Sequence, residues 1–176
     1  IPQFAESGDW HATSIYATDA ANNTSVYYGA NLAATGFPAT ITVTSNPDTA
    51  SPVLTCGQQP EDCVIGSPTV DTATGPVQVD VTAHFVDAPA GLAGAYVTFT
   101  SPSGNQNAGA SMYGAPQIGT PQDGVYKATA TIPQFAEAGV WKATSIYATD
   151  AANNTSVYYG ASLAATNFPS AIHVCH

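Results

Sequence analysis

A long internal repeat constrains the fold of this chain more than any other feature. Residues 1–43 return as residues 132–174, and the two copies differ at only eight of these 43 positions. In the numbering of the first copy, the differing positions are 7, 9, 11, 31, 36, 39, 40 and 42. The repeating unit is about the size of one small domain, and such domains are usually strung in tandem. The repeat therefore predicts a chain built from copies of one domain.

The pattern of the substitutions indicates β-strands. Trp10 and Ala12 are retained in the second copy, whereas positions 9 and 11 beside them change. Side chains alternate between the two faces of a strand, so we expect the retained residues to face a core and the variable ones to face solvent. At position 36 glycine is replaced by Asn167. These two residue types best tolerate a left-handed backbone, which predicts the same turn in both copies.

The two copies differ in what precedes them. Residues 44–131 supply a front part for the second copy, and the first copy has no equivalent stretch before Ile1. We therefore predict that residues 1–45 are the C-terminal half of a repeat, residues 46–52 a linker, and residues 53–176 a complete domain. The half repeat is expected to expose an apolar face around Trp10 and Phe37. Either adjacent repeats of one polypeptide or strand addition to another copy would cover that face.

Residues 53–176 contain short apolar alternations separated by turn signals, the pattern of a two-sheet sandwich. The clearest alternation covers residues 77–85, in which the odd-numbered residues are apolar. The residues between them are predicted to face water: Gln78, Asp80, Thr82 and His84. The segment through Met112 is predicted as either an edge strand or a loop. A change of phase after Ala143 predicts a β-bulge. The other predicted strands are 52–55, 95–100, 125–132, 140–149, 155–159 and 168–174. The predicted fold class is all-β.

Three consecutive phrases carry a family resemblance: PTVDTATGPVQVDVTAHFVD, then VTFTSPSGNQ, then DGVYKATATIPQFAEAGVWKATSIYATDAANNTSVY. Their order resembles the immunoglobulin-like or fibronectin-III-like domains repeated in bacterial secreted and surface proteins, over residues 49–174. The resemblance implies an Ig-like antiparallel β-sandwich that serves as a spacer, an adhesion stalk or an accessory module. The chain departs from the family pattern at Asn153, where a glycine usually precedes the second asparagine.

Composition limits the partners and the location. Two basic and twelve acidic side chains give a formal net charge of −10, which would repel nucleic acid. No apolar run approaches the roughly 20 residues of a membrane helix, so we expect no membrane insertion. Cys56 and Cys63 flank a short polar loop and are predicted to form a disulfide, which implies an extracellular or cell-surface location. Cys175 is then left over, as a candidate for pairing with another chain or as a consequence of where the chain stops.

Motifs of catalysis are absent, so the sequence predicts no catalytic residues and a protein that is not an enzyme. The best candidate for a binding site is a calcium site at one end of the sandwich, with Asp87, Asp150 and Asn153 as its oxygen ligands. Alternatively, Asp150 and the asparagines only bond backbone amides in a tight turn, and we favour this interpretation. No other cofactor is predicted. Overlapping glycosylation sequons place acceptors at Asn22, Asn23, Asn153 and Asn154.

The function predicted from these features is that of a non-catalytic repeat in an extracellular fibre, stalk or surface assembly. Its expected partners are other copies of itself or adjacent repeats of the same polypeptide, joined through β-strand contacts. The alternative is an accessory carbohydrate-binding or spacer module of a larger secreted enzyme or adhesin, in which exposed tyrosines would contact sugar.

Overall fold

The computed structural model describes residues 1–175, and their secondary structure is mostly β-strand with two short helices. The chain divides into two compact units, Ile1–Pro47 and Asp48–His176. The boundary falls inside the segment predicted as a linker, and His176 lies outside the described residues. The all-β class predicted from the sequence is confirmed.

The first unit consists of two antiparallel strand pairs and one short helix. The elements are β1 Gly8–His11, β2 Ser14–Thr18, β3 Thr24–Tyr28, α1 Gly29–Ala34 and β4 Thr40–Val43. Strands β2 and β3 form a hairpin, and β1 pairs antiparallel with β4. Few side chains of this unit are buried, and Leu32 of the helix is one of them.

The second unit has two sheets that share one hydrophobic core. The elements are β5 Val53–Leu54, β6 Val64–Ile65, β7 Thr69–Asp71, β8 Val77–Val86, β9 Leu92–Thr100, β10 Asn107–Tyr113, β11 Ile118–Thr120, β12 Asp123–Ile132, β13 Gly139–Asp150, β14 Thr155–Tyr159, α2 Gly160–Ala164 and β15 Ala171–Cys175. The larger sheet has the order β10-β9-β13-β15-β7, with β14 also paired to β13. The smaller sheet has the order β11-β12-β8-β5, with β6 also paired to β8.

Core side chains from both sheets form one buried cluster, so the arrangement is sandwich-like. The smaller sheet contributes Phe85 and Tyr126, whose rings meet edge to face with centroids 6.3 Å apart. The larger sheet contributes Val97, Phe99 and Trp141, all completely buried. The core therefore combines residues of the repeated segment with residues of the segment 44–131.

Several local predictions are confirmed. The pairing of β13 with β9 shifts register between Ala143 and Ser145, as the predicted bulge requires. Gly36 and Asn167 both have positive φ, of 69° and 57°, so both copies make the expected turn. Of the two alternatives for the segment through Met112, the edge strand is present as β10.

The predicted solvent face of β8 needs a correction. Thr82 and His84 are half-buried because the disulfide loop folds over this part of the strand. The Thr82 hydroxyl accepts a hydrogen bond from the Val64 amide at 2.9 Å, and the Thr55 hydroxyl lies 3.2 Å from His84 Nδ1. Alternation along β8 is correct, but the sequence pattern does not reveal what covers its outer face.

The two copies of the repeat adopt matching local structure. Trp10 pairs with Ile41 across β1 and β4, as Trp141 pairs with Ile172 across β13 and β15. Each indole N–H donates to a backbone carbonyl four residues earlier, at 2.9 Å in the first copy and 2.8 Å in the second. The repeated sequence thus specifies its own strand pairs and turns in both contexts.

Candidate cation site and repeat surface

The turn after β13 is organised by the carboxylate of Asp150. Its Oδ1 accepts hydrogen bonds from the amides of Ala152 at 2.8 Å and Asn154 at 2.7 Å. Asn153 sits between them with φ of 69°, the left-handed conformation that asparagine tolerates. The hydrogen bonds of the favoured turn interpretation are therefore present.

The first unit contains the same turn, built by Asp19. Its Oδ1 accepts from the amides of Ala21 and Asn23, both at 2.9 Å, and Asn22 has φ of 65°. These hydrogen bonds, with the Asn23 side chain as the largest contributor, lower the pKa of Asp19. The turn forms here without any further acidic residue, so its own bonds do not explain the environment of Asp150.

Asp150 lies in a buried cluster with two other aspartates. Asp48, Asp87 and Asp150 each place a carboxylate oxygen within 4.8 Å of the others. Asp48 begins the second unit, Asp87 directly follows β8, and Asp150 ends β13. All three side chains are buried. Three carboxylates so close together repel one another strongly unless a proton or a cation compensates them.

Hydrogen bonding is very unequal within this cluster. The oxygens of Asp48 accept from the amides of Ala50 at 2.9 Å and Ala90 at 2.8 Å. Asp87 is only 4 % exposed, and neither of its oxygens has a hydrogen-bond partner within residues 1–175. A buried carboxylate without a partner is strongly unfavourable.

Electrostatics agree with this geometry. The pKa of Asp87 is raised to about 6, first by burial and then by the carboxylates of Asp150 and Asp48. The Gly91 amide lowers it slightly but does not reach hydrogen-bond geometry. Of the three aspartates, Asp87 is therefore the one whose negative charge is least compensated by hydrogen bonds.

The sequence located part of this site. It named Asp87 and Asp150, and the structure brings these two residues together. The sequence analysis assigned Asp48 to the linker and did not include it among the candidate ligands. Its position between two prolines, just before a predicted strand, was the feature that could have indicated it. Asn153 is exposed, and it is the neighbouring Asn154 whose side chain bridges the cluster. Its Nδ2 donates to the Asp48 carbonyl at 3.0 Å and to Asp150 Oδ2 at 2.8 Å.

The sequons occupy unequal positions. Asn153 is exposed, while the Asn154 amide nitrogen, the atom that would carry a glycan, already makes two hydrogen bonds. Asn23 resembles Asn154, because its Nδ2 donates to Asp19 Oδ2 at 2.9 Å, and Asn22 resembles Asn153 in its exposure. Modification at Asn154 would remove one of these two hydrogen bonds, whereas Asn23 Nδ2 makes a single one.

The disulfide predicted between Cys56 and Cys63 is present. Cys175 is free and exposed, with its thiol 3.2 Å from the Val70 carbonyl. Under the disulfide loop, His84 lies between two carboxylates, with Nε2 2.6 Å from Asp123 and Nδ1 3.4 Å from Asp62. These contacts tie the loop to β8 and β12.

The surface of the first unit differs sharply from that of the second, although the residues are the same. Side chains buried in the second unit are uncovered in the first. The exposed fractions are 40 % at Trp10 and 0 % at Trp141, 59 % at Ile41 and 0 % at Ile172, and 47 % at Phe37 and 6 % at Phe168. In the second unit, residues 48–131 supply the side chains that cover this face.

A second exposed surface lies on the larger sheet. Tyr96 and Tyr147 are directly opposite each other on β9 and β13, and Tyr113 projects from β10 beside them. The three rings border a shallow, mostly apolar cavity of about 230 Å³. Such a platform is suited to stacking against a flat ligand.

Comparisons of the sequence with family models and with curated proteins find no match. None of the helices within residues 1–175 has the length and apolar character needed to cross a membrane.

Proposed function

We propose that this protein is a non-catalytic structural repeat of an extracellular fibre, stalk or surface assembly, built from Ig-like sandwiches. In this proposal the first unit is the rear half of one sandwich. A front half like residues 48–131, supplied by an adjacent repeat of a longer polypeptide, covers it; strand addition to another copy of the chain is the alternative. The cysteine bridge supports an oxidising, extracellular location.

The observation that carries the proposal is the contrast between Trp10 and Trp141. The same indole, in the same strand pair and with the same hydrogen bond, is 40 % exposed in one unit and fully buried in the other. Burying large apolar side chains is the main favourable term in association. The uncovered face is therefore complementary to a surface that the chain itself encodes in residues 48–131.

The test is an extended chain in which a second copy of residues 44–131 precedes Ile1, which recreates the natural junction between Thr131 and Ile132. In a Trp141→Phe background, Trp10 is the only indole, so its fluorescence reports on the first unit alone. We expect the extension to shift the Trp10 emission to shorter wavelength and to protect it from acrylamide quenching.

The matched control carries Val81→Asp in the added copy only, which places a charge in the core of the new sandwich. This control is expected to leave Trp10 as accessible as in the unextended chain. If Trp10 remains equally accessible with the unaltered extension, the complementarity does not exist and the repeat proposal fails.

The tyrosine surface supports a second candidate, an accessory carbohydrate-binding module. Stacking of sugar rings on Tyr113 and Tyr147 would require no acidic or catalytic group. A glycan-binding screen of the wild-type chain, repeated with the Tyr113→Ala and Tyr147→Ala variants, tests it. Binding lost in both variants would favour this candidate, and absence of binding would remove it.

A further inference from the structure

The aspartate cluster of the second unit requires a compensating charge that the repeat function does not provide. Asp87 is almost completely buried, and both of its oxygens lack a hydrogen-bond partner within the described residues. One of those oxygens lies within 4.8 Å of a carboxylate oxygen of each of two other buried aspartates. Ordinary turn capping does not account for this arrangement, since the Asp19 turn forms without such neighbours.

We propose that Asp48, Asp87 and Asp150 bind one calcium ion. Calcium–oxygen distances are about 2.3–2.6 Å, so ligands on opposite sides of one ion lie about 5 Å apart. The separations within 4.8 Å allow a single ion to contact all three carboxylates. Both oxygens of Asp87 are free for bidentate binding. Asp48 and Asp150 keep lone pairs beyond those used for backbone amides and, at Asp150, for the Asn154 side chain.

The donor set selects calcium among common metals. All three groups are carboxylates, which suit hard cations, and the cluster has no imidazole or thiolate that would favour zinc or copper. The ligands come from three separate segments and include one bidentate candidate. Calcium accepts such irregular geometry with six to eight oxygens, whereas magnesium requires a near-ideal octahedron and retains its water.

The ion would connect the two sheets of the second unit at one end. Asp87 follows β8 of the smaller sheet, Asp150 ends β13 of the larger sheet, and Asp48 lies at the start of the unit. Calcium would therefore stabilise the folded second unit against separation of these segments. This inference is independent of the repeat proposal, because the three aspartates belong to one unit.

The test is calorimetric titration of the metal-free chain of residues 1–176 with calcium chloride at neutral pH, together with thermal melting. Calcium sites in extracellular modules have Kd of about 0.1–1 mM, so the titration should extend to about 10 mM. We expect one saturable site per chain and a calcium-dependent rise in Tm. Asp87→Asn and Asp48→Asn should each abolish the saturable binding and the rise in Tm.

The control is Asp19→Asn, which alters the matching turn of the first unit where no acidic partners are present. It should bind calcium like the wild type. Two variants at Asp87 and Asp48 are used because either one alone could disturb folding, and far-UV circular dichroism verifies the fold of each. No saturable binding by the wild type, or unchanged binding in a folded Asp87→Asn variant, would overturn the proposal.

Discussion

At the scale of single residues, Asp87 makes the free energy of unfolding depend on pH when no divalent cation is bound. Its pKa is about 6 in the folded protein against 3.8 ordinarily, so the folded state holds this proton more tightly. The stabilising contribution is fully present below pH 3.8 and is lost as the pH rises through about 6. A difference of about two pKa units corresponds to about 3 kcal/mol.

Asp87→Asn removes this dependence. In metal-free buffer, the free energy of unfolding of the variant minus that of the wild type should be small near pH 4 and should increase by about 3 kcal/mol by pH 7. Urea unfolding across this range measures the difference, in which the titration of carboxylates distant from Asp87 cancels. A difference that does not change with pH would contradict the environment assigned to Asp87.

The two tryptophans provide a residue-level comparison of burial. Trp10→Phe and Trp141→Phe remove the same indole hydrogen bond, but only Trp141 is fully buried. Trp141→Phe should lower the free energy of unfolding by about 2–3 kcal/mol, because it leaves a gap in the core and removes the hydrogen bond to the partly buried Glu137 carbonyl. Trp10→Phe should cost less than about 1 kcal/mol. Urea unfolding followed by circular dichroism measures both, and equal costs would contradict the difference in burial.

At the scale of elements, the disulfide loop should stabilise the second unit by covering β8. The bridge closes a loop with a sequence separation of seven residues. A loop of this length corresponds to about 2 kcal/mol from the restricted unfolded chain. The Cys56→Ser/Cys63→Ser double variant should therefore melt at a lower temperature, with increased solvent exposure of His84.

The Cys175→Ser variant is the control for this measurement, since Cys175 is free and exposed. It should melt like the wild type under both oxidising and reducing conditions. A double variant that melts at the wild-type temperature would mean that the loop is held over β8 by Val64 and Asp62 alone.

Predictability from the sequence differs between kinds of element. Long alternations such as β8 and β12 were predictable because one face of each packs into the core. The helices α1 and α2 were missed, since five or six residues are too few to display a helical period. The very short strands β6, β7 and β11 were missed for a related reason, because three residues or fewer do not display a clear alternation. Strand β5 is as short, but it lies within the predicted strand 52–55.

The candidate cation site was only half predictable, for a physical reason. Asp87 and Asp150 each terminate a strand, and strand ends at one pole can be anticipated from the fold class. Asp48 joins them from a segment with no periodic pattern of its own, through contacts that are distant in sequence. Its role depends on where the chain returns in space, which a local pattern does not encode.

At the scale of the whole molecule, the repeat allows the local stability of one sequence to be compared with and without a packed core. Residues 12–30 and 143–161 are identical, so the intrinsic hydrogen-exchange rates of their interior amides are the same. Their strand pairs are also the same, β2 with β3 and β13 with β14. The two segments therefore differ only in their surroundings, because the second copy has additional neighbouring strands and a packed core.

Amides of β2 and β3 should therefore exchange at least about tenfold faster than their counterparts in β13 and β14, since about 1.4 kcal/mol of local stability changes the rate tenfold. Mass spectrometry can distinguish the copies with peptides that include position 11 or position 31, where the sequences differ. In the extended chain that supplies a front half to the first unit, the protection of β2 and β3 should rise toward that of β13 and β14. Equal protection in the unextended chain would mean that the strand pairs are stable by themselves and that the uncovered face needs no partner.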